Sequence, residues 1–86
     1  MVMPQIDETI VDQLVTLLRV AYANDYDKNP DEYHTTRDQI RVIGEKLHDK
    51  GGVAFMRAVY TRVYQKGLFP GRLLDHLWDG VGGWWG

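Results

Sequence analysis

The groups in this 86-residue chain that could do chemistry are three histidines, an acidic run and a set of interleaved basic and aromatic side chains. Asp25-x-Asp27-x-Asn29 places oxygen-bearing side chains at alternate positions, as the start of a calcium-binding loop does. Such a loop needs glycine at its sixth position and a bidentate glutamate at its twelfth. Here those positions hold Pro30 and Thr36. Proline is barred from the positive φ of the sharp turn, and threonine has no carboxylate. The spacing reads as an acidic, turn-rich loop. Weak calcium or magnesium binding through Asp25, Asp27 and Asp31 is the rival reading.

His34, His48 and His76 show no His-x-x-x-His spacing, so no helix presents two imidazoles one turn apart. Each lies near carboxylates: Asp31 and Glu32, then Asp49, then Asp75 and Asp79. Arg72, Asp75 and His76 fall within one helical turn, an arrangement common on solvated helix surfaces. A metal site or an acid–base dyad would need convergence in space. Serine and cysteine are absent, which excludes a serine nucleophile, thiol chemistry and cysteine-ligated metals. Gly80-Val81-Gly82-Gly83 is not followed by Lys-Ser/Thr, so it is no phosphate-binding loop. The expectation is a protein without catalytic residues, metal ligands or cofactor.

Two constellations point to binding instead. Lys50, Arg57, Arg62, Lys66 and Arg72 lie among Phe55, Tyr60, Tyr64 and Phe69, a mixture that suits DNA or RNA. Arg62 and Lys66 share a helix face and Arg57 does not, and the tyrosines fall on the apolar stripe. Residues 1–33 carry seven acidic and two basic side chains, and residues 34–86 carry five acidic and eight basic. The bases therefore either pair with the acidic first third or face a partner. The other constellation is the C-terminal run from Trp78 to Gly86, which holds all three tryptophans and four of the nine glycines. Trp78 keeps helical register with Leu74 and Leu77 and reads as core. Trp84 and Trp85, beyond the glycines, either cap the same core or anchor a second subunit. The expected partner-contact residues are Trp84 and Trp85, then Phe69 and Trp78.

The elements that must position these groups are helical. Asp7 can cap a helix over 7–23, with Ile10, Leu14, Leu17, Leu18 and Ala21 at helical spacing and Val11, Val15 and Tyr22 widening the stripe. Residues 24–31 read as a loop. Thr35 or Thr36 can cap a second helix over 36–50, with Ile40, Ile43 and Leu47 on its apolar face and Gly44 beside it. Gly51-Gly52 ends it. A third helix over 53–66 carries Met56, Val59, Tyr60, Val63 and Tyr64, and Gly67 stops it. Pro70 suits the first turn of a fourth helix, 70–79, before a Gly/Trp tail over 80–86. No strand pattern competes. The expectation is one all-α domain spanning 1–86, a compact bundle of about four short helices.

An apolar fraction of 44% suffices for a core, but a domain this small is marginal alone, which favours self-association as a homodimer. Absence of cysteine favours a reducing cytoplasm. Residues 1–8 lack the pattern of a signal peptide, and no apolar run reaches the roughly 20 residues of a membrane span.

From Ile43 onwards the chain carries Ile43, Gly44 and Leu47, then Gly51, Gly52 and Met56, then Trp78, Gly80, Val81, Gly82 and Trp84. This pattern resembles a group of short bacterial proteins whose function is not established, and it covers about half the chain. The resemblance implies a structural glycine–tryptophan closure and no activity, cofactor or catalytic residue. The function expected is a small non-catalytic protein-interaction or accessory module, with a nucleic-acid-binding regulator as the alternative.

Overall fold

In the computed structural model, residues 5–23, 29–69 and 72–84 are described. They form three helices: α1 (Glu8–Ala23), α2 (Pro30–Gly67) and α3 (Leu73–Trp78). The fold is all-α, with no strand among the described residues, and it has three helices where four were expected.

Helix α1 begins as its sequence dictates. The Asp7 carboxylate accepts the Thr9 N–H at 2.9 Å, and its carbonyl accepts those of Ile10 and Val11. The buried stripe is Val11, Leu14, Val15, Leu18 and Ala21. It is rotated from the expected one, since Ile10 and Leu17 are only partly buried and Tyr22 is exposed.

Helix α2 starts at Pro30 rather than near Thr36. Asn29 is its N-cap and accepts the Glu32 N–H at 3.3 Å. Proline occupies the first turn, where its missing N–H costs nothing, and Asp31 and Glu32 face the positive end of the helix dipole. The residues that look like turn formers are thus also a helix start signal. Thr36, expected as a cap, is buried one and a half turns into the helix.

The expected break at Gly51-Gly52 is a kink inside α2. Gly52 alone takes non-helical angles, φ 73° and ψ −168°, and hydrogen bonding resumes on either side. A straight helix of 38 residues would be about 57 Å long, longer than the 44 Å greatest dimension of the molecule. The kink lets both arms of α2 share one core. Ile40, Ile43 and Leu47 come from the first arm, Phe55, Met56, Val59 and Val63 from the second. Helix α1 packs along both. Its Ile10 and Gln13 line a cleft with Ile43 and Leu47, while Glu8 and Asp12 reach Arg62 and Lys66.

Helix α2 ends one residue beyond the expected stop. Leu68, not Gly67, adopts the left-handed conformation (φ 53°, ψ 40°) and donates its N–H to the Tyr64 carbonyl at 3.0 Å. Gly67 is needed for space, because a Cβ there would run into the Phe69 ring. Helix α3 has six residues and starts at Leu73. Pro70, expected in its first turn, lies outside the described residues. No described helix is long and apolar enough to cross a membrane.

Candidate functional site

The closing segment builds the centre of the molecule. Trp78 is fully buried, and its Nε1–H donates to the Ile40 carbonyl at 2.9 Å. The indole lies against Gly44. A Cβ on that residue would sit 2.6 Å from Nε1 and 2.9 Å from Cδ1. Beyond α3 the chain turns back on itself. Val81 N–H donates to the Trp78 carbonyl at 2.8 Å, Trp84 N–H to the Val81 carbonyl at 2.9 Å, and Gly80 N–H to the Trp84 carbonyl at 2.7 Å. Gly80, Gly82 and Gly83 have positive φ, which lets two successive turns, over 78–81 and 81–84, close on each other. The result returns Trp84 to the core at 3% exposure, edge-on to Trp78 with ring centroids 5.2 Å apart. Arg57 lies over the Trp84 ring, 5.2 Å from its centroid.

Of the four side chains expected at a partner contact, Trp78 and Trp84 therefore face this chain's own core. Trp85 lies outside the described residues, as do Asp25 and Asp27 of the acidic loop. Phe69 remains, half-buried at the end of α2.

The five bases of the nucleic-acid alternative do not converge. Arg62 Nε donates to Glu8 at 2.9 Å, and Lys66 is ion-paired with Asp12 and Glu8. Arg72 Nε donates to Asp75 at 2.8 Å. Arg57 covers Trp84, and Lys50 edges the cleft between α1 and α2. Three of the five are thus neutralised by acids of the same chain, two of them by the acidic first third.

Between α2 and α3 lies a polar cluster in which Tyr60 and Tyr64, expected on the apolar stripe, meet Arg72 and Asp75, expected as a pair on a solvated helix surface. Tyr60 and Tyr64 stack with centroids 4.6 Å apart. The Tyr60 hydroxyl donates to Asp75 Oδ2 at 3.2 Å, and the Tyr64 hydroxyl accepts the Leu74 N–H at 3.2 Å. Asp75 is buried, with Arg72 as its charge partner. Burial raises the pKa of Tyr60, and the Asp75 charge raises it further. Burial likewise raises Tyr64 and Tyr22. These hydroxyls stay protonated near neutral pH, so they donate hydrogen bonds and are not bases. No histidine joins the cluster. His76 is exposed and lines a separate pocket with Arg37 and Arg41, and His48 abuts the tail, where a Cβ on Gly82 would collide with its ring. Among the described residues no group of three or more His, Cys, Asp or Glu side chains could hold a metal.

One surface feature stands apart. Leu68 is 82% exposed and carries the only positive φ of a non-glycine residue among those described. Beside it Tyr22 stacks on Phe69 at 5.4 Å, and Tyr22 is itself 38% exposed. Arg19, Tyr22, Ala23, Gly67, Leu68 and Phe69 line a shallow groove of about 490 Å³. Sequence reasoning found Phe69 and missed Leu68. The available signal was the absence of glycine or asparagine after Gly67, where a left-handed cap would ordinarily place one.

Arg41 was also missed. Its Nη1 donates to the Leu77 and Asp79 carbonyls, both at 2.8 Å, and satisfies the end of α3. The contact joins residues 36 and 38 positions apart, so no local pattern announces it. No family model matches this chain, and neither a curated protein nor a solved structure does.

Proposed function

We propose that this chain is a small non-catalytic protein-interaction module that self-associates, and that its contact surface is the apolar patch of Tyr22, Leu68 and Phe69. Leu68 carries the reading. A left-handed backbone at a residue with a Cβ costs about 1–2 kcal/mol, and a leucine side chain at 82% exposure recovers none of it by burial. Glycine at this position would remove the strain. A strained, exposed leucine beside a stacked aromatic pair is what a contact residue looks like before its partner covers it. Trp78 and Trp84, two of the four expected contact residues, are enclosed in the core, whereas Phe69, a third, stands at the end of α2. Absence of cysteine favours a cytoplasmic setting.

The test is the mass of the full chain in solution across a concentration series, by light scattering or sedimentation, for the parent and for Leu68→Glu. The parent moves from monomer toward dimer as concentration rises. Leu68→Glu stays monomeric with an unchanged helical circular dichroism spectrum. A parent chain that remains monomeric at millimolar concentration would sink the proposal, and so would a Leu68→Glu dimer of undiminished affinity.

A further inference from the structure

The first arm of α2 and the end of α3 enclose a second pocket, of about 410 Å³ and polar throughout apart from Leu77. Its walls are Arg37, Arg41, His76, Leu77 and Asp79. We propose that Arg37, Arg41 and His76 bind a small oxyanion there, a carboxylate or a phosphate group.

Three observations carry this. First, the hydrogen-bond donors come from two separate elements and meet at one cavity. Arg37 and Arg41 sit one turn apart on α2, and His76 faces them from α3. Second, Arg41 is immobilised before any ligand arrives. Nη1 is held by two carbonyls at 2.8 Å, while Nε and Nη2 have no hydrogen-bond partner among the described residues. A guanidinium fixed in place with donors to spare binds an oxyanion with little further loss of side-chain freedom, and its planar fork matches carboxylate or phosphate geometry. Third, Arg37 is under-satisfied. Its one partner among the described residues is the exposed Asp38, at 3.3 Å, and its Nε is covered with no acceptor. An oxyanion between the two guanidinium groups supplies the missing acceptor atoms.

Asp79, in the pocket wall, opposes an anion. It disfavours ligands of high negative charge and favours a singly charged group. The site is separate from the Leu68 patch and does not depend on self-association.

The experiment uses the full chain, labelled with ¹⁵N, at fixed pH. Sodium phosphate, sodium acetate and sodium chloride are titrated at matched ionic strength, and the Arg41 side-chain Nε–H and His76 ring resonances are followed. Phosphate or acetate should give saturable shifts that chloride does not. Saturation by phosphate alone identifies a phosphate-bearing ligand, and by acetate alone a carboxylate. Arg37→Gln should weaken the apparent affinity about tenfold, the loss expected for one charge-assisted contact, while Lys46→Gln on another face leaves it unchanged. If Arg37→Gln disturbs the fold, His76→Gln, at an exposed position, provides the same comparison. Shifts equal to those of chloride, or an affinity indifferent to both variants, would overturn the assignment.

Discussion

Replacing Gly44 by alanine isolates the contact on which the core depends. Gly44 lies within the first arm of α2, and on propensity alone Gly→Ala there should stabilise the helix by about 0.8–1.0 kcal/mol. The packing opposes this. The new methyl would sit 2.6 Å from Trp78 Nε1, 2.9 Å from Cδ1 and 3.1 Å from Cε2, so the indole or the helix must move. The ring has no room to retreat, being fully buried with Trp84 edge-on behind it at 5.2 Å. Overpacking of this kind costs about 1–3 kcal/mol. Displacement also breaks the Nε1–H bond to the Ile40 carbonyl and strands a buried donor, for about 1–3 kcal/mol more. Less the propensity gain, the net destabilisation is about 3 kcal/mol, or a fall in Tm of roughly 12–24 °C for a domain of this size. Urea denaturation followed by tryptophan fluorescence and by circular dichroism measures it. The partner experiment is the same substitution in a Trp78→Phe background. Phenylalanine has no indole N–H to strand and is smaller by the fused ring, so it can retreat from the methyl, and the cost of Gly44→Ala should drop there by more than half. An alanine variant as stable as the parent, or one equally destabilised in both backgrounds, would refute the argument that Gly44 is a seat for the indole.

Other outcomes follow from the same geometry. Arg41→Gln removes two hydrogen bonds to the end of α3 and should cost about 1–3 kcal/mol in thermal or chemical melts. Leu68→Gly relieves the left-handed strain and should raise stability by up to about 1 kcal/mol while weakening self-association, so melting temperature and dimer affinity move in opposite directions. Raising pH should destabilise the fold. Tyr22, Tyr60 and Tyr64 have folded pKa values above the ordinary tyrosine value of 10.0, so the unfolded chain gives up these protons first. Their contribution is intact below pH 10 and is lost as pH rises through the folded pKa values. The pair of Lys66 with Asp12 raises the lysine pKa and acts in the same direction. Unfolding midpoints recorded between pH 8 and 11, with tyrosinate absorbance followed in parallel, check this. A midpoint that rises over that range would contradict it.

Much of the helical character was legible because it is local. Asp7 before Val11, Leu14 and Leu18 announces α1, and Met56, Val59 and Val63 at helical spacing announce the second arm of α2. The helix count was not legible, since Gly51-Gly52 reads the same whether the chain stops or bends. Only packing of both arms on α1 makes it a bend. The early start of α2 was written in Asn29-Pro30-Asp31-Glu32, but those residue types serve turns and helix starts alike.

The candidate sites divide along the same line. Sequence by itself determined that there is no serine or cysteine nucleophile, that the chain folds as helices, and that Trp78 continues an apolar stripe. Those conclusions rest on residue identity and on spacing within a few residues. Only the tertiary structure decided that Trp84 returns to the core, that Arg62 and Lys66 meet Glu8 and Asp12, and that Leu68 stands exposed. It also decided that Arg37, Arg41 and His76 enclose a common pocket. Each of these depends on where a distant segment lies, and side-chain spacing carries no information across a glycine whose φ is free to take either sign.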